Sequence, residues 1–348
     1  MHLRVSLFST HANAKNVAIG GIWMIKNICI VGYGAVGETH AEVVSEMEQV
    51  NLYAACDVLK ERLDQCKEKY NTLSYLDFDE MLKDENIDSV HICTPHYLHF
   101  EMIKKALRAG KQVVCEKPVT RTRAEYEELL TTENADQVCV VMQNRLNPCV
   151  SKMKEITDSG ELGKIVSLKA VVTWNRPSAY YAQAAWRGMW ATEGGGVLIN
   201  QSIHTLDALI YILGKVNRVQ AHMANYTHPE IEVEDMVSAH LSFENGANGI
   251  FYASNSYGAT VPAEIEIIFE KGKLHCVNGK LYVNDEYVTE DSVPLTGKIV
   301  WGTGHKLLFK RYYDEGKHFS PFDITYTMDT LFSIYECAKN NGFSMQNH

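Results

Sequence analysis

The sequence lacks the features that identify several classes of protein. Its nine cysteines are scattered singly and form no Cys-x-x-Cys pair, which favours reduced core thiols in a cytoplasmic protein over a disulfide framework or a zinc site. No apolar stretch approaches the ~18 residues that would span a membrane. Internal repeats, low-complexity tracts and Pro- or Ser-rich linkers are also absent. We therefore expect a globular protein without a membrane partner.

Positive charge is scarce as well. The chain has 33 lysines and arginines against 43 aspartates and glutamates, which gives a formal net charge of −10. This balance argues against nucleic acid or an anionic membrane as the main partner. The remaining composition, with 46% hydrophobic residues, is typical of a globular enzyme. The chain is long enough for about two domains of ~150 residues.

Residues 1–23 precede the first predicted strand. An apolar patch, VAIGGIWMI, runs from this segment straight into the strand without a small-residue cleavage pattern, so we predict no signal peptide. We interpret the segment as an N-terminal extension, and Met24 is an alternative natural start.

Residues 24–148 alternate between apolar strands and amphipathic helices. The strands are the runs NICIV, NLYAACDV, SVHICTP, KQVVCEKP and QVCVVMQ. Strands that alternate with helices of this length predict right-handed βαβ units. The fold class that follows is α/β, with an N-terminal Rossmann domain built on a doubly wound parallel sheet.

A glycine-rich loop, GYGAVG, lies between the first strand and the first helix. Gly32 permits a tight turn, Gly34 lets the backbone approach a pyrophosphate, and Gly37 lets the helix pack closely on the strand. The helix that starts here presents backbone N–H groups to phosphates. We therefore expect Ala35 and Val36 to contact a dinucleotide together with the three glycines.

The choice of dinucleotide depends on Asp57. This residue ends the second strand, where a carboxylate accepts hydrogen bonds from the adenosine ribose hydroxyls. Its charge repels a 2′-phosphate, so we predict NAD rather than NADP as the cofactor. Lys60 and Arg62 follow closely and partly offset the repulsion.

Residues 149–348 change in character. The runs EDMVSAHLSF and EIEIIF alternate apolar and polar residues, which predicts strands with one face on the core. A second, α+β domain with a large, open, mostly antiparallel or mixed sheet follows from this pattern. The run PFDITYTMDTLFSIYECAKNN predicts a closing helix over about residues 321–341.

The run GGGVLINQSIHTLDALIYILG predicts one buried helix that begins near Val197 and is stopped by Gly214. Asn200, His204 and Asp207 fall at i, i+4 and i+7, and they therefore share one face of that helix. Polar groups are costly in a core unless they are hydrogen-bonded. Either the three residues satisfy one another inside the core, or they face a cleft. Asp207 either orients the His204 ring or caps a buried network.

Four stretches occur in the order GYGAVG, CTPHYLHFEMIKKALRAGKQVVCEKP, QNRLNP and GGGVLINQSIHTLD. Together they resemble the glucose–fructose oxidoreductase/inositol dehydrogenase/MocA (Gfo/Idh/MocA) family over about residues 26–341. The resemblance implies a Rossmann domain followed by an α+β domain whose open sheet forms a homodimer or homotetramer. It also implies an NAD(P)-dependent oxidoreductase that transfers a hydride between the nicotinamide and a carbinol of a sugar, inositol or related polyol.

The resemblance also implies site residues. Lys117, in the Glu-Lys-Pro stretch, and His204 face the substrate carbinol beside the nicotinamide. Many members have aspartate at the position of Asn200. Asparagine cannot take a proton, so we expect it to bind a substrate hydroxyl instead. The further cofactor contacts that the resemblance implies are Thr94, Pro95, His96, Glu116 and Lys117.

Two further patterns are open to more than one interpretation. The pair His96-x-x-His99 has a spacing found at metal sites, but no third ligand lies nearby, and we expect no metal. Trp186 and Arg187 in AAWRGMW, and Arg145 in QNRLNP, are either packing residues or substrate contacts. Aromatic faces suit sugar rings and arginine suits an anionic group, so an anionic sugar or sugar nucleotide is one substrate class that they indicate.

The leading hypothesis is an NAD-dependent dehydrogenase of sugars or polyols. One alternative is a glycoside hydrolase-type enzyme that keeps NAD bound and uses transient oxidation to drive elimination. Another is a non-catalytic regulator that senses a nucleotide. Lys117 and His204 argue against the regulator, because a sensor has no need of a proton-transfer pair.

Overall fold

The structure of the protein is a computed structural model. It describes residues 25–292 and 303–340, and the backbone of residues 344–345. The predicted N-terminal extension, residues 1–23, and the alternative start at Met24 lie outside the described residues. All nine cysteines are described and are free thiols, as their scattered pattern predicted. Among the described residues, no helix has the length and apolar character needed to cross a membrane.

Within the described residues, six parallel strands form the first sheet. They are β1 (Lys26–Val31), β2 (Val50–Cys56), β3 (Leu73–Tyr75), β4 (Ser89–Ile92), β5 (Gln112–Cys115) and β6 (Val138–Val140). Their order is β3-β2-β1-β4-β5-β6, so the direction of winding reverses between β1 and β4. Ligands bind at the carboxyl ends of the strands at such a reversal. The predicted doubly wound parallel sheet is confirmed.

Helices follow the strands of this sheet. They are α1 (Ala35–Ser45), α2 (Lys60–Tyr70), α3 (Phe78–Leu82), α4 (His96–Arg108) and α5 (Arg123–Thr131). The central strands are buried along almost their whole length, because helices on both faces cover a parallel sheet. This double burial explains why these strands read in the sequence as continuous apolar runs.

The second sheet, as far as the structure describes it, has nine strands in the order β14-β13-β12-β11-β7-β10-β9-β8-β15. In chain order the strands are β7 (Ile165–Thr173), β8 (Val216–Asn225), β9 (Met236–Phe243), β10 (Asn248–Ser254), β11 (Glu264–Phe269), β12 (Gly272–Val277), β13 (Lys280–Val283), β14 (Glu286–Glu290) and β15 (Ser344–Met345). Most neighbours are antiparallel, but β10 runs parallel to β7 and β15 parallel to β8. The predicted open, mixed sheet is confirmed.

Further helices accompany this sheet. They are α6 (Pro148–Ser159), α7 (Ser178–Tyr181), α8 (Ile203–Leu213), α9 (Gly304–Glu315) and α10 (Thr325–Asn340), with 3₁₀ turns at Ala135–Gln137, Gln143–Leu146 and Pro321–Ile324 and a π-helical turn at Val197–Gln201. Helix α8 packs against β7 and α10 packs against β8. The inward residues of β9 are buried and alternate with more exposed ones, as period-two alternation predicted.

The predicted closing helix, about residues 321–341, is divided in the structure. A 3₁₀ turn precedes α10, and residue 341 lies outside the described residues. The division follows from a capping box: the Ser320 backbone N–H donates to the Asp323 carboxylate at 2.8 Å. Pro321 occupies the first position of the turn, where its missing N–H costs nothing.

The chain after the second sheet returns to the first sheet. The Tyr313 hydroxyl, on α9, lies 2.8 Å from Ser89 Oγ at the start of β4. The Phe319 carbonyl accepts the N–H of Val140 on β6 at 2.7 Å. The predicted domain boundary between residues 148 and 149 stays a prediction, because segments from both sides of it pack against the first sheet.

Candidate active site

A cavity of about 1160 Å³ lies between the carboxyl ends of the first sheet's strands and the second sheet. Most of the side chains that the sequence singled out line it. They are Gly32, Gly34, Ala35, Val36, Asp57, Thr94, Pro95, His96, Glu116, Lys117, Trp186, Arg187, Asn200 and His204. Gly37 and Arg145 are not among the lining residues. The fold therefore brings residues from both halves of the sequence to one space.

The three glycines of the loop differ in what surrounds them. Gly32 has a φ of +88°, and a Cβ there would lie 2.9 Å from the Cys93 carbonyl. A Cβ on Gly37 would lie 2.1 Å from the Gly32 oxygen, so only glycine lets α1 pack this closely on the turn. A Cβ on Gly34 would meet only Arg62 Nη1, at 3.8 Å. The space in front of Gly34 is therefore open to a ligand, which fits the predicted approach of a pyrophosphate.

Asp57 connects the end of β2 to the glycine loop. Its Oδ2 accepts the backbone N–H of Tyr33 at 2.8 Å, and its Oδ1 accepts that of Leu59 at 2.9 Å. The Arg62 guanidinium lies 3.4 Å from Oδ2. The carboxylate is thus held at the position predicted for the ribose contact, with a cation beside it that partly screens its charge.

This arrangement leads to a prediction about cofactor choice. We expect NAD to bind about tenfold more tightly than NADP, a difference of ~1.4 kcal/mol, because Asp57 repels a 2′-phosphate. Asp57→Asn should narrow the difference, since it removes the charge but keeps an oxygen for the Tyr33 N–H. Calorimetric titration of the cofactor-free protein with each dinucleotide measures both affinities. Arg62→Ala is a control with the opposite expected result: it should widen the difference between the affinities for NAD and NADP, because it removes the cation beside Asp57. Equal or reversed affinities in the wild-type protein would contradict the prediction.

The predicted helix from Val197 to Gly214 is interrupted, and this part of the prediction is wrong. A π-helical turn covers Val197–Gln201, and α8 begins only at Ile203. The irregularity lies at Ser202, whose backbone N–H donates to the Val197 carbonyl five positions back at 2.9 Å and whose hydroxyl donates to the Val197 and Leu198 carbonyls. The buried Glu234 carboxylate accepts the N–H groups of Gly196 and Leu198 at 2.9 and 3.0 Å, which have no partner within the turn. Gly214 does end α8, as predicted.

The interruption separates the three polar residues that the sequence placed on one face. Asn200 and His204 line the cavity, whereas Asp207 is buried elsewhere. Asp207 accepts both Arg145 nitrogens, Nη2 at 2.6 Å and Nε at 2.9 Å, and the Thr327 hydroxyl at 2.7 Å. Of the two readings left open for Asp207, the geometry matches the buried network.

Arg145 lies in that network rather than in the cavity. Its guanidinium also packs between the rings of Tyr211 and Phe319, at 4.9 and 5.0 Å from their centroids. The predicted substrate contact for Arg145 has no support in this geometry. Asp207, which pairs with it, lies 62 positions further along the chain, so no local pattern of residues indicated the ion pair.

Lys117 follows β5 and extends to the π-helical turn. Its Nζ donates to the Asn200 carbonyl at 2.9 Å, and the Asn200 side-chain amide donates to the Glu193 carboxylate. Glu193 is fully buried, and burial raises its pKa. Its backbone carbonyl lies 2.8 Å from His96 Nδ1. Glu193 was not among the predicted site residues, although its position directly before three glycines was a signal.

His204 faces Lys117 across the cavity side of α8. Burial and the Lys117 charge together lower the pKa of its ring to about 3, so the ring is neutral at physiological pH. Its Nε2 lies 3.5 Å from the Gln143 side-chain nitrogen. Within the part of the chain that the structure describes, its Nδ1 has no hydrogen-bond partner. Because an amide nitrogen can only donate, the Gln143 contact makes Nε2 the acceptor and leaves Nδ1 as the N–H of the ring.

Glu116 joins a buried cluster of histidines beneath the cavity. Its Oε1 lies 3.1 Å from His40 Nε2 and 3.4 Å from His305 Nε2. Burial acts to raise the pKa of Glu116, but the N–H donors from His305 and His40 outweigh burial and hold it well below its usual range. On the far side, His40 Nδ1 lies 3.0 Å from His91 Nδ1, and His91 Nε2 lies 2.8 Å from the Tyr313 hydroxyl.

The histidines thus occur in two settings. The ligand atoms of His40, Glu116 and His305 lie within 4.8 Å of one another, a grouping that three widely separated sequence positions did not reveal. His96 and His99, whose spacing suggested a metal pair, instead contact backbone carbonyls. The geometry assigns the His96-x-x-His99 pair to packing at the start of α4.

Aromatic rings and arginines line the side of the cavity nearest the second sheet. The Trp186 ring packs 4.8 Å from that of His96, and the Arg187 guanidinium lies 4.7 Å from the Trp186 ring and 4.3 Å from the Tyr180 ring. Arg176 also lines the cavity. Sequence analysis missed Arg176 and Tyr180, although both follow the carboxyl end of β7.

Two family models match the chain. Residues 26–144 match the oxidoreductase family with an NAD-binding Rossmann fold, and residues 150–275 match the GFO/IDH/MocA C-terminal domain. Among curated relatives, the scyllo-inositol 2-dehydrogenase (NAD(+)) of Bacillus subtilis is 30% identical over 252 residues, which cover 68% of this chain and 70% of the relative. The myo-inositol 2-dehydrogenase of Thermotoga maritima is 29% identical over 259 residues, covering 72% and 75%.

Solved structures show the same fold. The WlbA dehydrogenase from Bordetella pertussis, in complex with NADH and UDP-GlcNAcA, has a TM-score of 0.82 and 25% identity, covering 91% of this chain and 96% of that one. A levoglucosan dehydrogenase, in complex with NADH and levoglucosan, has a TM-score of 0.81 and 22% identity, covering 91% and 98%. The second likeness concerns the fold alone.

Proposed function

Because the chain belongs to the GFO/IDH/MocA family of NAD-binding oxidoreductases, we propose that it transfers a hydride between NAD and a carbinol carbon of a sugar, an inositol or a related polyol. It is an NAD-dependent dehydrogenase that acts on CH–OH groups. The observation that supports the substrate class is the meeting of Lys117 and His204 in one cavity with the glycine loop. Related dehydrogenases act on inositols and levoglucosan.

The residues present fit NAD. The open space before Gly34 and the N–H groups at the start of α1 would hold the pyrophosphate, and Asp57 would hold the adenosine ribose. Thr94 and Glu116 line the same cavity and would contact the nicotinamide half. NAD supplies the hydride acceptor when it is bound.

Lys117 and His204 provide the acid–base chemistry in this proposal. As the hydride leaves the carbinol carbon, the hydroxyl proton passes to one of these two groups, and the other steadies the oxygen. The Lys117 cation donates a hydrogen bond to the Asn200 carbonyl, which positions it to stabilise a developing alkoxide. His204 is neutral, so its unprotonated ring nitrogen, rather than the Lys117 cation, can accept the proton.

A substrate panel tests the proposal. We expect at least one sugar, inositol, polyol or sugar nucleotide to reduce NAD, as measured by the absorbance of the reduced nicotinamide. Protein that retains stoichiometric NAD and cleaves a glycoside without net NADH formation would instead support the glycoside hydrolase alternative. Dinucleotide binding without any turnover would support the sensor alternative, and either result would overturn the dehydrogenase proposal.

Assembly is a further part of the proposal. The outward face of the second sheet carries Ile250, which is 51% exposed, and Tyr252 and Ile268 around the ion pair of Lys169 with Glu264. We expect this face to pair two copies of the chain, because a half-apolar sheet face is favourable to bury. Light scattering should give a dimer or tetramer, and Ile250→Glu should lower its mass. A wild-type monomer at micromolar concentration would contradict this expectation.

A further inference from the structure

We propose that the substrate carries an anionic group, a carboxylate or a phosphate, which Arg176 and Arg187 bind at the end of the cavity nearest the second sheet. This inference rests on the proposed function, and it narrows the substrate from sugars and polyols in general to anionic ones. Both arginines line the cavity that holds Lys117 and His204. The anionic group would therefore belong to the same molecule as the reacting carbinol.

The two guanidinium groups flank one aromatic ring. Arg176 lies 5.3 Å and Arg187 lies 4.3 Å from the centroid of Tyr180. Each also lies over a tryptophan, Arg176 over Trp174 at 4.7 Å and Arg187 over Trp186 at 4.7 Å. Stacking on aromatic faces holds a guanidinium plane in position while its N–H edges remain available for hydrogen bonds.

Neither arginine forms an ion pair with a described residue. In the described ranges, other arginines such as Arg123 and Arg145 form ion pairs with carboxylates, whereas no carboxylate oxygen lies within 4.0 Å of Arg176 or Arg187. Their contacts are with neutral oxygens, since Arg176 donates to the Asn175 carbonyl and Arg187 to the Tyr180 hydroxyl. The buried Nε of Arg187 has no partner among the described residues.

The charge of Arg187 acts on Glu193, but these two residues form no ion pair. The Glu193 carboxylate is fully buried and accepts the backbone N–H of Gly188 and the Asn200 amide. Burial raises its pKa, so its charged form is disfavoured. Two neighbouring cations in a partly enclosed cavity repel each other, and an anion that bonds to both removes this cost.

This anion site is distinct from the place of the cofactor phosphates. The pyrophosphate would lie at Gly34 and the start of α1, beyond the carboxyl end of β1. Arg176 follows β7 of the second sheet, and Arg187 precedes the π-helical turn. Lys117 lines the same cavity and donates to the Asn200 carbonyl in the π-helical turn that Arg187 precedes. An anionic substrate can therefore span from the arginines to Lys117 without displacing the dinucleotide.

The experiment compares matched substrates that differ in charge. Turnover with NAD is measured for a neutral hexose, the corresponding hexuronate and hexose phosphate, and a sugar nucleotide. In the wild-type enzyme we expect kcat/KM for one anionic class to exceed kcat/KM for the neutral hexose. In Arg187→Met and Arg176→Met the ratio of these two values should fall ~10–100-fold, because charge-assisted hydrogen bonds to the anion are lost. The carboxylate and phosphate arms identify which anion is bound. Arg218→Met, at an exposed arginine on β8, is the matched control and should leave the ratio unchanged.

A binding measurement separates the two proposals. Tryptophan fluorescence of NADH-loaded protein follows hexuronate or inorganic phosphate binding without turnover, because Trp174 and Trp186 lie beside the arginines. If the arginine variants lose anion binding, the anion site is supported, whether or not any substrate of the panel reacts. If no substrate of the panel reacts, the proposed function is overturned. A wild-type enzyme that prefers the neutral hexose, or arginine variants that reduce both substrate classes equally, would overturn the anion site and leave the proposed function standing.

Discussion

Lys117→Met and His204→Ala are each expected to lower turnover by ~10²–10⁴-fold, or about 3–5 kcal/mol of barrier, while NAD affinity stays within a few-fold of wild type. The reason is that both groups face the reacting carbinol in our proposal and neither contacts the predicted phosphate or ribose sites. Turnover is measured on the best substrate of the panel, and NAD binding by calorimetry. The double variant should lose less than the sum of the two losses, because both groups act on one proton.

Asn200→Ala is the comparison for these variants. Its side chain donates to Glu193, and its backbone carbonyl, which holds Lys117, remains after the substitution. We therefore expect a milder effect that is seen mainly as a higher KM. Near-normal turnover in His204→Ala would contradict the acid–base assignment and would reduce His204 to a packing residue with a free nitrogen.

The free energy of unfolding is expected to fall as the pH is lowered from ~6.5 to ~5, by up to ~1.4 kcal/mol per pH unit for each ring that stays neutral in the folded chain. Burial lowers the pKa of His40, His91 and His96, and burial with the Lys117 charge lowers that of His204 to about 3. The folded chain keeps these four rings neutral, whereas the unfolded chain protonates each of them below pH ~6.5. Stability is therefore fully present above this pH and is lost as the pH falls towards the folded-state pKa values.

Two buried carboxyl groups act in the opposite direction. Burial raises the pKa of Glu234 to about 7 and also raises that of Glu193, so acid favours the folded state at these positions. They reduce the net uptake of protons on unfolding, and therefore the slope of the free energy of unfolding against pH. His99 is a separate case. Both its nitrogens lie 2.7–2.8 Å from backbone carbonyls. These hydrogen bonds raise the pKa of the ring, whereas burial lowers it.

Urea unfolding followed by circular dichroism at several pH values measures this dependence. His91→Asn should reduce the slope against pH by about one proton, because it removes one buried neutral ring. His222→Gln changes an exposed histidine on β8 and should leave the slope as it is. A free energy of unfolding that stays constant or rises between pH ~7 and ~5 would show that the buried rings are protonated in the fold.

The parts of the fold that the sequence revealed are those with local determinants. The glycine loop spans six positions, and Asp57 follows at the end of the next strand, so spacing alone located the predicted cofactor contacts. The alternation in β9 likewise depends only on neighbouring residues. Lys117 could be placed because it follows a short apolar strand, and such positions lie at the ligand-binding edge of a parallel sheet.

The parts that the sequence did not reveal depend on distant residues. The start of the π-helical turn is bound by Glu234, 36 positions after Leu198, whose backbone N–H it accepts. Arg145 was grouped with substrate contacts because its partner Asp207 is remote. Arg176 lies in an irregular segment without periodicity, and only the order of strands in the second sheet shows that this segment faces the cavity.

The return of α9 to the first sheet bears on the order in which the chain folds. The hydroxyl of Tyr313 meets Ser89 across 224 positions of sequence, and the carbonyl of Phe319 bonds to Val140 on the edge strand. Contacts of such separation are slow to form, because a long loop must close before they are made. During synthesis the strands of the first sheet are made long before α9, whose Tyr313 contacts the start of β4. The first sheet therefore stays incomplete until α9 and the segment that follows it have been made.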